Sequence, residues 1–303
     1  GQADAEGTPP KKLTSPAEKK QAVQKLTEMF KVSARRAQSV VGLSRGTAHY
    51  KSRRDDGQLR TDMKEIAAER RRFGYRRLAI MLQRKGHVCN IKEVYRIYRE
   101  EGLMVKRRKG RKRALGTRQP LPRPDRINQV WSLDFMSDAL SCGRRFRVFG
   151  VMDQCSRECL TLVADTSIGG ARVVRELEQL IRKRGKPVCI VSDNGTELTS
   201  RVVLQWAAEH GIEWHYITPG KPSENGFTES LNGKVRDECL NEHWFSTVAE
   251  AREILADWQH GYNTVRPHSS LNYRTPAEAS AGLRQACERT KPGACHTELG
   301  SLK

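Results

Sequence analysis

The chain of 303 residues is long enough for two or three domains, which excludes a single small module. Its 55 Lys and Arg against 35 Asp and Glu give a formal charge of +20, which favours a polyanionic partner over a small neutral ligand. Residues 1–125 hold 33 basic and 13 acidic side chains, whereas residues 126–303 hold 22 of each, so all of the net charge lies in the first two fifths. No window approaches roughly 18 consecutive apolar residues, and the cysteines show no zinc-site spacing. The sequence therefore predicts an intracellular protein with reduced thiols and no membrane span.

The first predicted elements are helices that carry much of this charge. Residues 1–15 lack apolar periodicity and predict a disordered leader, and a helical spacing of apolar residues follows. Ser33 is a typical N-cap for a second helix, Gly42 breaks that helix, and Ser44 opens a third. Residues 16–58 therefore predict a helix-turn-helix unit whose last helix enters a DNA major groove. The side chains expected to contact DNA there are Arg45, Thr47, His49 and Lys51.

A second helix-turn-helix unit is predicted over residues 59–105. The segment RRFGYRRLAIMLQRKGH predicts one helix, and Asn90 caps another whose apolar residues keep a helical spacing. Gly86 and Gly102 are expected to terminate these two helices. The DNA contacts expected from this unit are Arg76 and Arg77.

Residues 106–125 predict a basic linker that runs into a Pro-rich stretch. Its first part, KRRKGRKR, places seven positive charges in eight residues, and contact with DNA phosphates is the simplest use for so dense a run. The alternative is a solvated tail. The expected phosphate contacts are Lys106, Arg107, Arg108, Lys109, Arg111, Lys112 and Arg113.

The pattern then changes from helices to strands. The runs VWSLDFMSDA, FRVFGVMDQ and ECLTLVADT predict three sequential antiparallel strands. A helix over 171–184, the strand PVCIVSDN, a helix over 201–210 and the strand EWHYITP follow. This order resembles an α/β ribonuclease-H-like core, a mixed five-stranded sheet with helices, over residues 126–267. Residues 268–303 are then a C-terminal extension.

Three acidic residues lie where these elements would bring them together. Asp134 interrupts the apolar pattern of the first strand, Asp193 ends the fourth strand, and Glu229 lies in a helix predicted to open near Pro222 and Ser223. Converging carboxylates repel one another unless cations lie between them, and a pair of Mg²⁺ ions about 3.5–4 Å apart suits in-line phosphoryl transfer. A lone Asp in a strand is more often a surface residue. The competing carboxylates near strand ends are Asp138, Asp153 and Asp165, of which Asp153 is the strongest rival.

The helix with Glu229 predicts a second functional surface. Asn225, Asn232 and Arg236 share one side of that helix with Glu229 and are expected to hold a phosphate strand beside the metals. A solvated helix face is the alternative. For His268, in RPHSSLNYRTP, a packing or capping role is predicted.

Three segments of the sequence carry a family resemblance: VWSLDF, the run DNGTELTSRVVLQWAAEHGIEWHYITPGKPSENGFTESLNGKVRDECLNEHWF, and YNTVRPHSSLNYRTPAEA behind it. Through them the sequence bears a resemblance to the insertion-sequence-three family of bacterial DDE transposases, whose core is similar to that of retroviral integrases. The resemblance assigns the catalytic and metal-binding roles to Asp134, Asp193 and Glu229. It further implies two Mg²⁺ ions, for which Mn²⁺ substitutes, and a homomultimer that holds both ends of the element's DNA in the bacterial cytoplasm, at the nucleoid.

The resulting hypothesis is a transposase that cleaves DNA 3′ ends and transfers them to target DNA, and that binds the terminal inverted repeats through its basic helices. The alternatives are a catalytically silent DNA-binding regulator with the same fold and a simple metal-dependent nuclease. An intact triad disfavours the regulator, and the two N-terminal DNA-binding units disfavour the nuclease. The sequence shows no long leucine-heptad helix, which is consistent with the downstream portion of a frameshift fusion and makes the upstream-frame protein a candidate partner.

Overall fold

The computed structural model describes residues 15–50, 56–105, 124–218 and 225–289. Residues 286–289 are described by their backbone alone. The predicted leader up to residue 14 and the linker up to residue 123 lie outside the described residues, as does the predicted helix opening near Pro222 and Ser223. The chain divides into two compact units, Gly1–Gln58 and Leu59–Lys303. Within the described residues, no helix is long and apolar enough to cross a membrane.

The described part of the first unit consists of α1 (Pro16–Phe30), α2 (Ala34–Val41) and α3 (Arg45–His49). The predicted caps are confirmed, because the Ser33 and Ser44 hydroxyls accept backbone N–H groups of the first turns of α2 and α3. Gly42 ends α2 in the left-handed conformation that glycine tolerates best, with φ at 66°. The buried core is small and consists of Val23, Ala37 and Leu43.

The second unit begins with α4 (Gly57–Glu69), α5 (Tyr75–Arg84) and α6 (Ile91–Glu100). The Asn90 side chain accepts the Lys92 N–H at 2.9 Å, which confirms the predicted cap of α6. Gly86 and Gly102 follow α5 and α6 with positive φ, as predicted. These helices share a larger core, in which several side chains are fully excluded from solvent: Met63, Leu78, Leu82, Val94 and Ile97.

The remaining elements form a five-stranded sheet with helices on both faces. The strands are β1 (Val130–Ala139), β2 (Arg145–Asp153), β3 (Cys159–Asp165), β4 (Cys189–Ser192) and β5 (Glu213–Tyr216), in the order β3-β2-β1-β4-β5. The first three pair antiparallel, whereas β4 pairs parallel to both β1 and β5. The helices are α7 (Gly170–Arg184), α8 (Arg201–Glu209), α9 (Gly226–Glu238), α10 (Val248–Thr264) and α11 (Pro276–Arg289). The predicted ribonuclease-H-like order is confirmed.

Alternation along the strands divides the core between the two sheet faces. Trp131 and Leu133 of β1 pack with the apolar stripes of α7 and α8. Met136 points to the other face and packs with α9 and α10, including Leu231 and Tyr262. Because side chains alternate along a strand, the residue two positions before Met136 shares its face. Asp134 therefore belongs to the face that α9 covers.

Candidate active site

The strand register aligns two of the three predicted acids. In the parallel pairing of β1 with β4, Ser132 is the partner of Val191. Asp134 and Asp193 each follow these partners by two residues, so Asp134, within β1, lies beside Asp193 at the point where β4 ends. The carboxyl ends of parallel strands meet at the same edge, and open α/β sheets bind ligands there.

Helix α9 brings the third acid to the same edge by docking on β1 through polar side chains. The Asn225 amide donates to the Leu133 carbonyl at 3.3 Å, and the Asn232 amide donates to the Asp134 carboxylate at 2.7 Å. The Arg236 guanidinium donates to the Ser137 carbonyl at 3.0 Å. The helix face that contains Glu229 is thus attached along the strand that contains Asp134.

Electrostatics connect the three acids. The pKa of Asp134 is raised to about 6, in the first place by burial and additionally by the charges of Asp193 and Glu229. Hydrogen bonds from the Phe135 N–H, at 2.7 Å, and from Asn232 act in the opposite direction. Asp134 is half-buried, whereas Glu229 is exposed to solvent. A cation at this edge would relieve the repulsion.

The donor set fits a hard divalent cation without forming a finished metal site. Within the part of the chain that the structure describes, no three Asp, Glu, His or Cys side chains are arranged closely enough to hold a metal ion. Three carboxylates around one sheet edge nevertheless supply the oxygen ligands that Mg²⁺ prefers. The Asn232 carbonyl oxygen is buried and has no hydrogen-bond partner in the structure, which leaves one more unpaired polar atom beside Asp134.

The turn after Asp193 is shaped around its carboxylate. The Gly195 N–H donates to the Asp193 carboxylate at 3.1 Å. A Cβ at position 195 would also lie 3.1 Å from the same oxygen, closer than side chains normally pack. Glycine therefore allows the backbone to approach the carboxylate in the predicted SDNG turn.

The rival carboxylates have other partners. Asp153 is buried and accepts hydrogen bonds from the Asn128 N–H at 2.7 Å and from the Ser156 N–H at 2.7 Å. Asp165 pairs with Arg252 at 2.8 Å. Asp138 accepts the N–H of its neighbour in the chain at 2.8 Å. Asp153, which the sequence made the strongest rival, thus organises a loop at the end of β2.

The residues of the first unit expected to contact DNA lie on or near α3. Arg45 and His49 are exposed, whereas Thr47 is half-buried and its hydroxyl lies 2.8 Å from that of Ser44. The Thr47 hydroxyl therefore takes part in the cap of its own helix. Lys51 and the seven basic residues between 106 and 113 lie outside the described residues.

The two arginines expected to contact DNA in the second unit differ in their surroundings. Arg76 is exposed, and its guanidinium donates to the Tyr75 hydroxyl at 3.2 Å. Arg77 lies 4.0 Å from Glu238 and packs over the Phe73 ring. Burial lowers the pKa of Arg77 to about 10. Arg77 thus joins α5 to α9 inside the second unit.

A cluster of cations around Glu238, formed by Arg77, Lys234 and Arg266, was not predicted from the sequence. Arg266 forms two hydrogen bonds with Glu238, at 2.8 and 2.5 Å, and burial followed by the charges of Arg266 and other cations lowers the pKa of Lys234 to about 7. The His268 ring lies 2.9 Å from the Tyr262 hydroxyl, in agreement with the packing role predicted for it. Only the apolar spacing of α10 marks this region in the sequence, and that spacing does not identify which charges lie against it.

Three family models match the chain between residues 53 and 276. An integrase core domain model matches residues 124–222, a second integrase core domain model matches residues 210–276, and an HTH-like domain model matches residues 53–111. Among solved structures, the chain is similar to the HTLV-2 integrase catalytic core domain in complex with magnesium, with 15% identity and a TM-score of 0.41 over 51% of this chain and 97% of that one. It is also similar to the simian T-cell lymphotropic virus intasome, with 15% identity and a TM-score of 0.49 over 80% of each chain.

Curated relatives cover nearly the whole chain. The uncharacterized 31.7 kDa protein of insertion element IS407 from Burkholderia multivorans is 45% identical, over 87% of this chain and 96% of the relative. The uncharacterized 39.2 kDa protein of insertion element IS476 from Xanthomonas euvesicatoria is 42% identical over 94% of this chain and 83% of the relative. Transposase InsD of insertion element IS2 from Escherichia coli is 29% identical over 80% of this chain and 83% of the relative. With these relatives, its integrase core and its HTH-like domain, the chain belongs to the insertion-sequence-three family of DDE transposases.

Proposed function

We propose that the chain cleaves the 3′ ends of its own insertion element and joins them to target DNA, with Asp134, Asp193 and Glu229 as the ligands of two Mg²⁺ ions. The observation that supports this most is the docking of α9 on β1, which attaches the helix of Glu229 to the strand of Asp134. The register of β1 with β4 adds Asp193 to the same edge.

The chain's own groups orient the carboxylates. The Phe135 N–H and the Asn232 amide each hold one oxygen of Asp134, and the Gly195 N–H holds one oxygen of Asp193. Carboxylates fixed in this way present their remaining lone pairs in set directions. When bound, the two ions would activate water or a DNA 3′-hydroxyl and stabilise the leaving oxygen.

The basic helical units supply the binding of DNA in this proposal. Arg45 and His49 are exposed on or beside α3, which suits contact with a groove of the terminal repeat. The run KRRKGRKR neutralises phosphates irrespective of sequence. Strand transfer needs both element ends in one assembly, so the active form is a homomultimer, and the upstream-frame protein is a candidate member.

A cleavage and joining assay on labelled DNA from the element's ends, with Mg²⁺ or Mn²⁺, tests the proposal. Asp134→Asn, Asp193→Asn and Glu229→Gln should each lower cleavage and joining at least about 100-fold, because a metal ion contributes several kcal/mol of charge stabilisation. Asp138→Asn is the matched control, since it removes a carboxylate from the same strand and should leave both steps unchanged. Electron paramagnetic resonance of added Mn²⁺ reports on binding independently of turnover.

The other outcomes separate the alternatives. A native chain that nicks DNA but never joins it is a nuclease. A native chain that binds the element's ends, binds Mn²⁺ weakly and never cuts them, even with the upstream-frame protein added, is a regulator. Activity that survives in Glu229→Gln would exclude this residue from the metal site.

A further inference from the structure

A groove of about 910 Å³ lies in the second unit, beside the buried core of α4–α6, to which its lining residue Tyr98 also belongs. Its walls come from the start of α5, from α6 with the residues that follow it, and from the loop before α11. Four tyrosines and three arginines contribute to these walls, and the described lining contains no Asp or Glu. We call it the tyrosine groove, and its principal residues are Arg72, Tyr75, Arg76, Tyr95, Tyr98 and Tyr273.

The aromatic wall is preformed. The Tyr75 and Tyr95 rings lie 4.8 Å apart at 59°, and the Tyr98 ring lies 6.1 Å from that of Tyr75. The Tyr98 hydroxyl accepts the Val105 N–H at 2.8 Å, which fixes the far edge of this ring. Tyr95 nevertheless remains 43% exposed, so its ring is accessible from the groove.

The opposite wall contains one residue, Tyr273, in a strained backbone conformation. Asn272 and Tyr273 both adopt the left-handed conformation, with φ of 54° and 61°. Asparagine tolerates this conformation, whereas a bulky residue such as Tyr273 seldom adopts it, at a cost of order 1–3 kcal/mol. The Tyr273 N–H donates to the His268 carbonyl at 2.8 Å, so the strained loop is closed on itself. Tyr273 thus lines the groove in a conformation of the kind that clusters at ligand sites.

One arginine of the groove has its charge free for a ligand. Arg72 pairs with Asp237 and Arg77 with Glu238. Arg76 is exposed and has no carboxylate partner among the described residues. Its guanidinium contacts the hydroxyls of Tyr75 and Tyr273, which lie on the two opposite walls. An anionic ligand would therefore meet an uncompensated cation between two aromatic rings.

We propose that the tyrosine groove binds unpaired nucleotides of a DNA strand, with a base on the tyrosine faces and its phosphate on Arg76. Duplex DNA offers phosphates to arginine but keeps its base faces stacked, whereas an unpaired strand offers both. Base stacking on aromatic side chains together with a cationic contact is the way single strands are held without reading their sequence. The inference rests on the proposed function in that DNA is the substrate, and it adds a site for the strand that cleavage or joining leaves unpaired.

The test measures the anisotropy of two fluorescein-labelled probes bound to the full chain without metal: oligothymidylate of about 15 nucleotides, and a duplex from the element's end. Tyr273→Asn removes a ring and keeps a residue that tolerates the left-handed conformation. Tyr95→Ala removes a second ring, and Tyr95→Phe is its matched control because the ring stays. Arg76→Gln removes the free charge, and Arg144→Gln, in the exposed turn between β1 and β2, is the control for loss of one charge. Circular dichroism verifies that each variant is folded.

Tyr273→Asn and Tyr95→Ala should weaken binding of the single strand about 5- to 100-fold and leave binding of the duplex unchanged, with Tyr95→Phe equal to the native chain. For the single strand, Arg76→Gln should lower the slope of log affinity against log salt concentration by about 0.7. Arg144→Gln should leave this slope unchanged. A 5-iododeoxyuridine strand should photo-cross-link to the groove tyrosines even where the basic run dominates total affinity.

Two results would overturn the inference: unchanged single-strand affinity in both tyrosine variants with cross-links elsewhere, or an equal loss for single strand and duplex. Because neither readout needs cleavage, failure of the groove is distinct from failure of the proposed function. A chain that cuts and joins DNA but shows no groove contact loses only this inference.

Discussion

The helices α1–α3 and the helices α4–α6 are both basic and both capped by polar residues or glycine, and they differ in what their cations contact. In the first unit, Arg45 is exposed and forms no ion pair with the described residues. In the second unit, Arg72 and Arg77 pair with acids of α9 at 3.5 and 4.0 Å, and Arg84 pairs with Glu278 of α11 at 3.2 Å. The net charge of a helical unit is therefore a poor measure of the charge that it can offer to DNA.

The largest effect is expected where the second unit's arginines meet α9. Glu238→Gln leaves Arg266, of which 4% of the side chain is exposed, and Arg77 without their counter-charge. Removing one partner of a buried ion pair costs about 3–5 kcal/mol. Urea unfolding of the full chain should show this loss, with Glu253→Gln, an exposed residue of α10, as the control. Equal stability of the two variants would contradict the structural use of these cations.

The core of α1–α3 is smaller than that of α4–α6, so a cavity made by mutation should affect the two regions differently. Leu78→Ala, at a fully buried position of α5, should destabilise the second unit by about 2–5 kcal/mol. Leu43→Ala should instead melt the first unit locally, because its described core has only three fully packed apolar residues. Hydrogen exchange followed by mass spectrometry distinguishes the two: with Leu43→Ala, protection should fall in residues 15–50 and persist in the sheet. A common loss of protection in both regions would show that the units unfold together.

Acid should destabilise the second unit through His268. Its pKa is lowered to about 3, by burial and then by Lys234 and other cations, whereas an unfolded His titrates near about 6.5. Between these pH values the imidazole of His268 is protonated in the unfolded chain and neutral in the folded one. Its contribution to the free energy of unfolding is therefore fully present above about pH 6.5 and is lost as the pH falls. Between these pH values the free energy of unfolding should rise with pH by about 1.4 kcal/mol per unit, and this dependence should be weaker in His268→Gln. An unaltered slope in this variant, measured by unfolding at several pH values, would assign the effect to other groups.

The smallest effects are expected from single arginines, one paired and one unpaired among the described residues. Arg84→Gln, which breaks a half-exposed pair with Glu278, should cost at most about 1 kcal/mol and leave the salt dependence of duplex binding unchanged. Arg45→Gln should leave stability unchanged, lower the slope of log affinity against log salt by about 0.9, and alter the preference for the element's ends. The same slope change in both variants would remove the distinction.

The sequence predicted the elements well because their signals are local. Ser33, Ser44 and Asn90 cap the helices for which they were predicted, and the apolar and β-branched runs form the five strands. The side chains of the Glu229 face were grouped correctly by helical period, but the period does not reveal what the face meets. Asn225 and Asn232 were expected to face a phosphate strand, whereas in the structure they donate to β1. Contacts between distant segments, such as Arg77 with Glu238, leave no periodic trace in the sequence.

The register of α9 on β1 decides which side chain of the helix lies beside Asp134 and Asp193. A slip of the helix by one turn, about 5.4 Å, would break the bonds of Asn225, Asn232 and Arg236 together. It would also exchange Glu229 for a residue one turn away, either Gly233 or Asn225, neither of which has a carboxylate. The polar contacts along this helix thus fix its register on β1. A deletion or insertion between β5 and α9 should therefore be tolerated only if these contacts are kept.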